Sequence, residues 1–287
     1  MTTPSLMDEI AALWNRSQAG ELDAASASEG ELEVLDVFLA ALETGEIRAA
    51  TPDGAGEETA KDWQVNEWVK QGILLNFSLR ETRARPYGDV RYHDVLPLRE
   101  TNDLGDRGTR NTPDGTTIRR GSYVGSDAIL MSPCFVNIGA YVDDGTLVDS
   151  CDTVGSCAQI GRNVKLGANT LIGGVLEPVE DTPVIVEDEV SIGAGCRITS
   201  GFVVGEGSIV GENTLLTPRI PVYDLVDEEI IYGYIPPERR VFTRFVDSSL
   251  GEHELFGKAG AYKPAAVATD IATETLDATE REERLRE

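Results

Sequence analysis

A period of six runs through the middle of this chain. Stepping by six from Ile118 gives Val124, Leu130, Val136, Val142, Val148, Val154, Ile160, Leu166 and Ile172. After an interruption the series resumes at Val186 and continues through Ile192, Ile198, Val204, Val210 and Leu216. All sixteen positions are Ile, Leu or Val, types that fill roughly a quarter of an ordinary chain, so chance does not explain the series. The residue after the aliphatic is often Gly, as at Gly125, Gly155, Gly161, Gly167, Gly173, Gly193, Gly205 and Gly211. The residue two before it is often small, as at Ser122, Ala128, Cys134, Ala140, Thr146, Ala158, Thr170, Cys196, Ser208 and Thr214.

Six fits neither a 3.6-residue helix nor plain strand alternation. It fits a three-sided coil with one short strand per side and one aliphatic side chain pointing inward from each. Small residues then fit the corners, and Gly tolerates the backbone angles expected there. The expected fold is an all-β solenoid, a left-handed parallel β-helix of hexapeptide repeats over residues 110–220. An α-rich domain precedes it over 1–109 and a small C-terminal extension follows over 221–287. The interruption between Ile172 and Val186 reads as an excursion from the coil, and insertions of that kind often mark a binding face.

The flanks give local expectations. Residues 5–48 read as two helices, with Leu32, Leu35, Phe38, Leu39 and Leu42 at helical spacing and Gly45 as a stop. Residues 52–60 read as a loop, 61–80 as a helix running into a strand, and 88–110 as polar and turn-rich. Val222–Asp224 and Ile230–Gly233 suggest a short hairpin. The tail, 270–287, reads as a charged helix or a disordered end.

Charge and composition exclude several functions. Lys and Arg number 25 against 50 Asp and Glu, a net of −25, and only five of the basic residues are Lys. A phosphate backbone is repelled by such a chain, and so is an anionic membrane surface. No apolar run reaches the ~18 residues of a membrane span. The stretch Met1–Trp14 has no basic region followed by an apolar one, so no secretory signal is expected and the cytoplasm is the default. Cys134, Cys151, Cys157 and Cys196 form no CxxC pair and have no neighbouring His, which argues against zinc or any other metal. Cys134 and Cys196 occupy small corner slots and Cys157 a face, so none reads as a nucleophile.

Solenoids of this kind include acyltransferases, carbonic anhydrases and scaffolds. The carbonic anhydrases need three zinc-binding His, and this chain has only His93 and His253, both outside the coils. Without a coil His, the base of an acyltransferase must be a carboxylate. Asp143, Asp144, Asp149 and Asp152 are the candidates within one coil.

The segments Val136–Asp143, Gly145-Thr146, Val148-Asp149 and Val154–Gly161 closely resemble the tetrahydrodipicolinate N-succinyltransferases, as does Ile172–Pro178. The flanks agree at Gly45–Ala49, Trp63–Leu79 and Ile231–Gly233 followed by Pro236. The resemblance implies transfer of succinyl from succinyl-coenzyme A to the amine of ring-opened tetrahydrodipicolinate, in lysine and diaminopimelate biosynthesis. It also implies a homotrimer with active sites between neighbouring prisms. The family's active-site Asp matches Asp149. Its substrate-binding Arg matches Arg110, with Arg107 one gap away as the second choice. Gly173 and Gly174 match the stretch beside the pantetheine arm of the coenzyme.

Two positions depart from the family pattern. Many members carry Trp two residues after the active-site Asp, where this chain has Cys151. Members carry Glu in a later coil where this chain has Arg197, and a cation is no base at neutral pH. Either Asp149 acts alone, the acidic role has moved, or the substrate differs. Arg197 is then a candidate ligand for a substrate carboxylate or a coenzyme phosphate. Two other readings stand beside the succinyltransferase: an N-acyltransferase with an acetyl donor or another acceptor, and an inactive scaffold solenoid.

The diffuse acidity suits a protein of high-salt surroundings, where self-repulsion is screened. The melting temperature is accordingly expected to rise with added salt. A melt that is already complete in stability at low ionic strength contradicts the halophilic reading.

Overall fold

The computed structural model describes residues 2–53, 63–248 and 261–273. Two-residue strands follow one another through the middle of the chain and hydrogen-bond in parallel to strands one coil away. Paired positions such as Tyr123, Tyr141 and Gln159 are eighteen residues apart, three hexapeptides per coil. Three parallel ladders result. The first face holds strands 110–111, 129–130, 147–148, 165–166, 191–192, 209–210 and 240–241. The second holds 117–118, 135–136, 153–154, 171–172, 197–198 and 215–216. The third holds 123–124, 141–142, 159–160, 185–186, 203–204 and 234–235. The ladders thus run on past residue 220, through Tyr234-Ile235 and Arg240-Val241.

All sixteen aliphatic positions point inward and are at most 5 % exposed. Each such side chain contributes roughly 1.5–3 kcal/mol by leaving water. The position two before it is a second inward column: Ser122, Ala128, Thr146, Ala158, Thr170 and Thr214 are all buried. The inward hydroxyls satisfy corner carbonyls, with Thr146 Oγ1 donating to Gly161 O at 2.7 Å and Thr214 Oγ1 to Gly211 O at 2.6 Å.

Where glycine follows the aliphatic, it is required for a different reason from the one expected. Gly125, Gly155, Gly161 and Gly167 are not among the residues with positive φ. A Cβ on Gly161 would lie 2.7 Å from Asp188 N, and one on Gly167 would lie 2.8 Å from Ala194 N. The next coil's backbone occupies the space. Positive φ falls two residues later, at Gly145, Asn163, Asn169 and Asn213. Cys157 also belongs here, at φ 65, so it sits in a corner rather than on a face. Its side chain is fully buried in the contact with the N-terminal domain.

Three helices form that domain: α1 (Thr3–Gln18), α2 (Glu29–Glu43) and α3 (Glu67–Ser78). Ser28 and Glu31 close a capping box at the start of α2. Gly45, at φ 75, follows its end as expected. Residues 61–80 run in the opposite order from the sequence reading. Trp63–Val65 is a strand paired with Ala50–Pro52, and the apolar run Ile73–Leu75 lies within α3. That run has β-like composition, but α3 buries Val69, Ile73 and Leu75 against α1 and α2, so packing overrides it. The loop expected over 52–60 lies mostly outside the described residues.

The polar stretch 88–110 contains more order than expected. Arg83–Tyr87 and Val90–Asp94 form a hairpin, and α4 (Asn102–Asp106) places Leu104 on the open end of the solenoid core. The hairpin Val222–Asp224/Glu229–Ile231 is present. A longer one, Arg240–Asp247/Tyr262–Thr269, extends the first face and was not anticipated. The tail beyond residue 273 lies outside the described residues.

Two substitutions separate the close-approach role from the dihedral one. Gly161→Ala is expected to cost about 1–3 kcal/mol through overpacking. Asn169→Gly, at a positive-φ corner, is expected to stay within about 0.5 kcal/mol. Equal losses in thermal denaturation would contradict the distinction.

Candidate active site

The four acidic candidates separate once the coil is folded. Asp143 and Asp144 lie on the corner between the third and first faces and serve its turns. Asp144 Oδ1 accepts from Ser126 N at 2.7 Å, and Asp143 Oδ1 accepts from Asp144 N at 2.9 Å. Asp149 and Asp152 lie on the corner between the first and second faces. Asp152 is 1 % exposed, whereas Asp149 is half-buried and borders solvent. Asp149 is therefore the carboxylate of this corner that a ligand can reach.

The turn around Asp149 is tightly held. Asp149 N donates to Asp152 Oδ2 and Thr170 N donates to Asp152 Oδ1, both at 2.7 Å. Ser150 N donates to Asp149 Oδ1 at 2.7 Å, and Cys151 at the apex takes φ 65 with its side chain exposed. Burial pushes the Asp152 carboxyl up to about 8, against the two backbone donors that lower it, with Asp149 adding repulsion.

Two arginines flank Asp149 along the same edge. Arg110 is exposed, two ladder steps below, and its Nη2 reaches Met131 Sδ at 3.8 Å. Met131 N in turn donates to Val148 O, beside Asp149. Arg197 is exposed on the second face, two steps above Thr153, and donates to Gly195 O at 2.8 Å. At ~4.8 Å per step, each arginine's backbone is about 10 Å from the Asp149 coil. Arg107, the second choice for the substrate arginine, is occupied elsewhere. It pairs with Asp103 at 3.2 Å and lies over the Tyr123 ring.

Gly173 and Gly174 are not beside Asp149 in the same chain. They sit on the opposite edge of the second face, at its corner with the third. There the excursion leaves the coil and forms a pocket of about 630 Å³. Glu177, Asp181 and Thr182 of the excursion line one side, Thr199 and Ser200 of the next coil another, with Arg219 at the margin. Close approach makes the floor: a Cβ on Gly155 would lie 2.2 Å from Gly174 N, and one on Gly174 would lie 2.7 Å from Ser156 N. Sequence reasoning missed Thr199, Ser200 and Arg219, because no local pattern brings them to the excursion. Among the described residues, no group of three His, Cys, Asp or Glu converges as a metal site, and no helix is long and apolar enough to cross a membrane.

The raised Asp152 carboxyl makes a pH prediction. Between 3.8 and about 8 the folded chain keeps a proton that the unfolded chain has released. The stability from this proton is fully present below the unfolded value and is lost as pH rises through the folded one. Asp152→Asn removes the titration, so its melting temperature relative to the parent should climb between roughly pH 4 and pH 8 and level off above. A difference that does not vary with pH refutes this.

A sequence profile described as "Tetrahydrodipicolinate N-succinyltransferase N-terminal" matches residues 5–79. A 2,3,4,5-tetrahydropyridine-2,6-dicarboxylate N-succinyltransferase of Dechloromonas aromatica (strain RCB) is 35 % identical over all of both chains. One of Herminiimonas arsenicoxydans is 40 % identical over 76 % of this chain and 78 % of its own length. A crystal structure from Campylobacter jejuni, described as "a putative 2,3,4,5-tetrahydropyridine-2-carboxylate n-succinyltransferase", shares the fold at TM-score 0.52 and 16 % identity. The match covers 81 % of this chain and 62 % of that one. With full-length relatives at this identity, the chain belongs to the tetrahydrodipicolinate N-succinyltransferase family.

Proposed function

We propose that this protein transfers the succinyl group of succinyl-coenzyme A to the amine of ring-opened tetrahydrodipicolinate, a step of diaminopimelate and lysine biosynthesis. The names of its relatives support that activity. The observation that carries the site assignment is the half-buried Asp149 with an exposed arginine on either side along one prism edge. An acceptor with two carboxylates and one reacting amine matches two guanidinium groups around one carboxylate.

In this reading Arg110 and Arg197 hold the acceptor's carboxylates. Asp149 orients the amine and takes its proton as the nitrogen attacks the thioester carbonyl. The C–N bond forms, the C–S bond breaks, and the coenzyme leaves as its thiol after receiving a proton. Such proton transfer contributes about 10² to 10⁴ in rate. Gly173 and Gly174 let backbone groups approach the amide-rich pantetheine arm in the excursion pocket. Arg197, where the family pattern has Glu, serves as a ligand and not as a base.

The separation of Asp149 from the pocket by the width of the second face supports a homotrimer. Asp149 of one copy then faces the donor pocket of its neighbour. Leu171 and Leu215, exposed on that face, supply apolar area for such a contact. The six-residue repeat supports a left-handed winding of the prism, and a biosynthetic role supports a cytoplasmic location.

Asp149→Asn should lower kcat by about 10² or more. Thr199→Trp, which fills the pocket, should abolish donor binding. Co-expressing the two inactive variants should restore activity at about a quarter of the sites if each site draws on two copies. No restoration places both halves within one chain. No thiol release from either succinyl- or acetyl-coenzyme A with the parent protein favours the scaffold reading.

A further inference from the structure

Lys70 is a fully buried cation on α3, at 0 % exposure. No carboxylate pairs with it among the described residues. Its Nζ donates to the main-chain carbonyls of Pro178, at 3.4 Å, and of Asp181. The carboxylates of Asp181, Glu180 and Glu67 act on it only through space, and burial lowers its pKa. Its neighbour Cys157 is pushed up to about 12 by burial, so that thiol is neutral and supplies no counter-charge. Burying an ammonium without an anion is unfavourable unless its donors meet well-placed acceptors. Here the acceptors belong to the excursion.

The excursion has two sides. One faces the N-terminal domain, where Lys70 grips its carbonyls and Leu176 packs against the helical core. The other side supplies Glu177, Asp181 and Thr182 to the pocket wall. Asp181 belongs to both: its carbonyl is held by Lys70, and the residue lines the pocket. The far end of the excursion is fixed on the solenoid, where a Cβ on Gly201 would lie 2.4 Å from Thr182 O. Because Lys70 bonds main-chain oxygens, it sets the path of the loop independently of the loop's own side chains.

We propose that Lys70 is a positioning residue for the donor: it holds the excursion as the outer wall of the pocket and so makes the N-terminal domain part of the acyl-donor site. The proposal rests on the reading of this pocket as the coenzyme site. Lys70 touches no reacting group, so its removal should act on donor binding alone.

Lys70→Met keeps length and apolar bulk but removes the ammonium. The KM for succinyl-coenzyme A should rise about tenfold, equivalent to about 1.4 kcal/mol of donor binding. The KM for the acceptor and kcat at saturating donor should stay unchanged. Hydrogen exchange should accelerate at the amides of residues 175–182 and not in the coils. Lys70→Arg, which retains the charge with a different donor geometry, should recover part of the loss, and it serves as the test variant if Lys70→Met does not fold. An unchanged donor KM, or equal rises in both KM values, overturns the proposal. Thr199→Trp fills the pocket from the solenoid side, away from Lys70. If it leaves donor KM unaltered, the pocket reading itself fails. If it raises donor KM and the Lys70 variants do not, only the role of Lys70 fails.

Discussion

The backbone of each coil lies directly against that of the next at the corners of the prism, and the rest of the molecule follows from that contact. Where Gly155 meets Gly174, or Gly167 meets Ala194, no side chain fits between the two coils. Glycine after the aliphatic residue, present at eight of the sixteen positions, is what allows the coils to approach that closely there. The same spacing leaves an interior just wide enough for two inward positions per hexapeptide. One is branched and apolar and the other is mostly small. Hydroxyls in the second position bond corner carbonyls, so the inward hydroxyls of Thr146, Thr170 and Thr214 are paired.

An interior filled in this way has no space for chemistry, which moves to the edges. The corner between the first and second faces carries Asp149, held by the buried Asp152 behind it. The corner between the second and third carries the excursion and its pocket. Successive turns on these edges are tied to one another by backbone hydrogen bonds, as Asn169 N is to Ser150 O and Gly195 N to Ala168 O. Asp149 is further fixed by bonds within its own turn, to Asp152 and from Ser150. The N-terminal domain covers the third face, with Arg48 over Tyr141 and Trp63 against Ile185 and Val203. The edge between the second and third faces carries the excursion, which the same domain holds through Lys70.

The solenoid was legible because its constraint repeats. Sixteen aliphatic residues at one spacing cannot be satisfied by another backbone, and each of them proved buried. The helices of the N-terminal domain were legible where periodicity and caps agreed, as in α2 between Ser28 and Gly45. Reading failed where one short segment admits two conformations. Ile73–Leu75 suits a strand by composition, and the helical core of Leu35, Phe38 and Leu39 makes it a helix. The strands Arg240–Asp247 and Tyr262–Thr269 pair across a long stretch of sequence, so no short-range pattern announces the ladder.

The site divides along the same line. Asp149 and the Gly173-Gly174 pair have a defined place in the six-residue register, whereas Arg110, which pairs with Ile129 out of that register, is reached only through the family resemblance. The sequence by itself therefore determined the prism, the corner each residue occupies and the family to which the chain is similar. Only the tertiary structure decided that Asp143 and Asp144 serve turns on another edge, that Arg107 is occupied by Asp103, and that Asp152 is buried. It also brought Thr199, Ser200 and Arg219 to the excursion, and Lys70 to its carbonyls across more than a hundred residues. The physical reason is that a repeat encodes its own neighbours one coil away. Contacts between the coil and what is folded onto it depend on where chain segments distant in sequence come to rest.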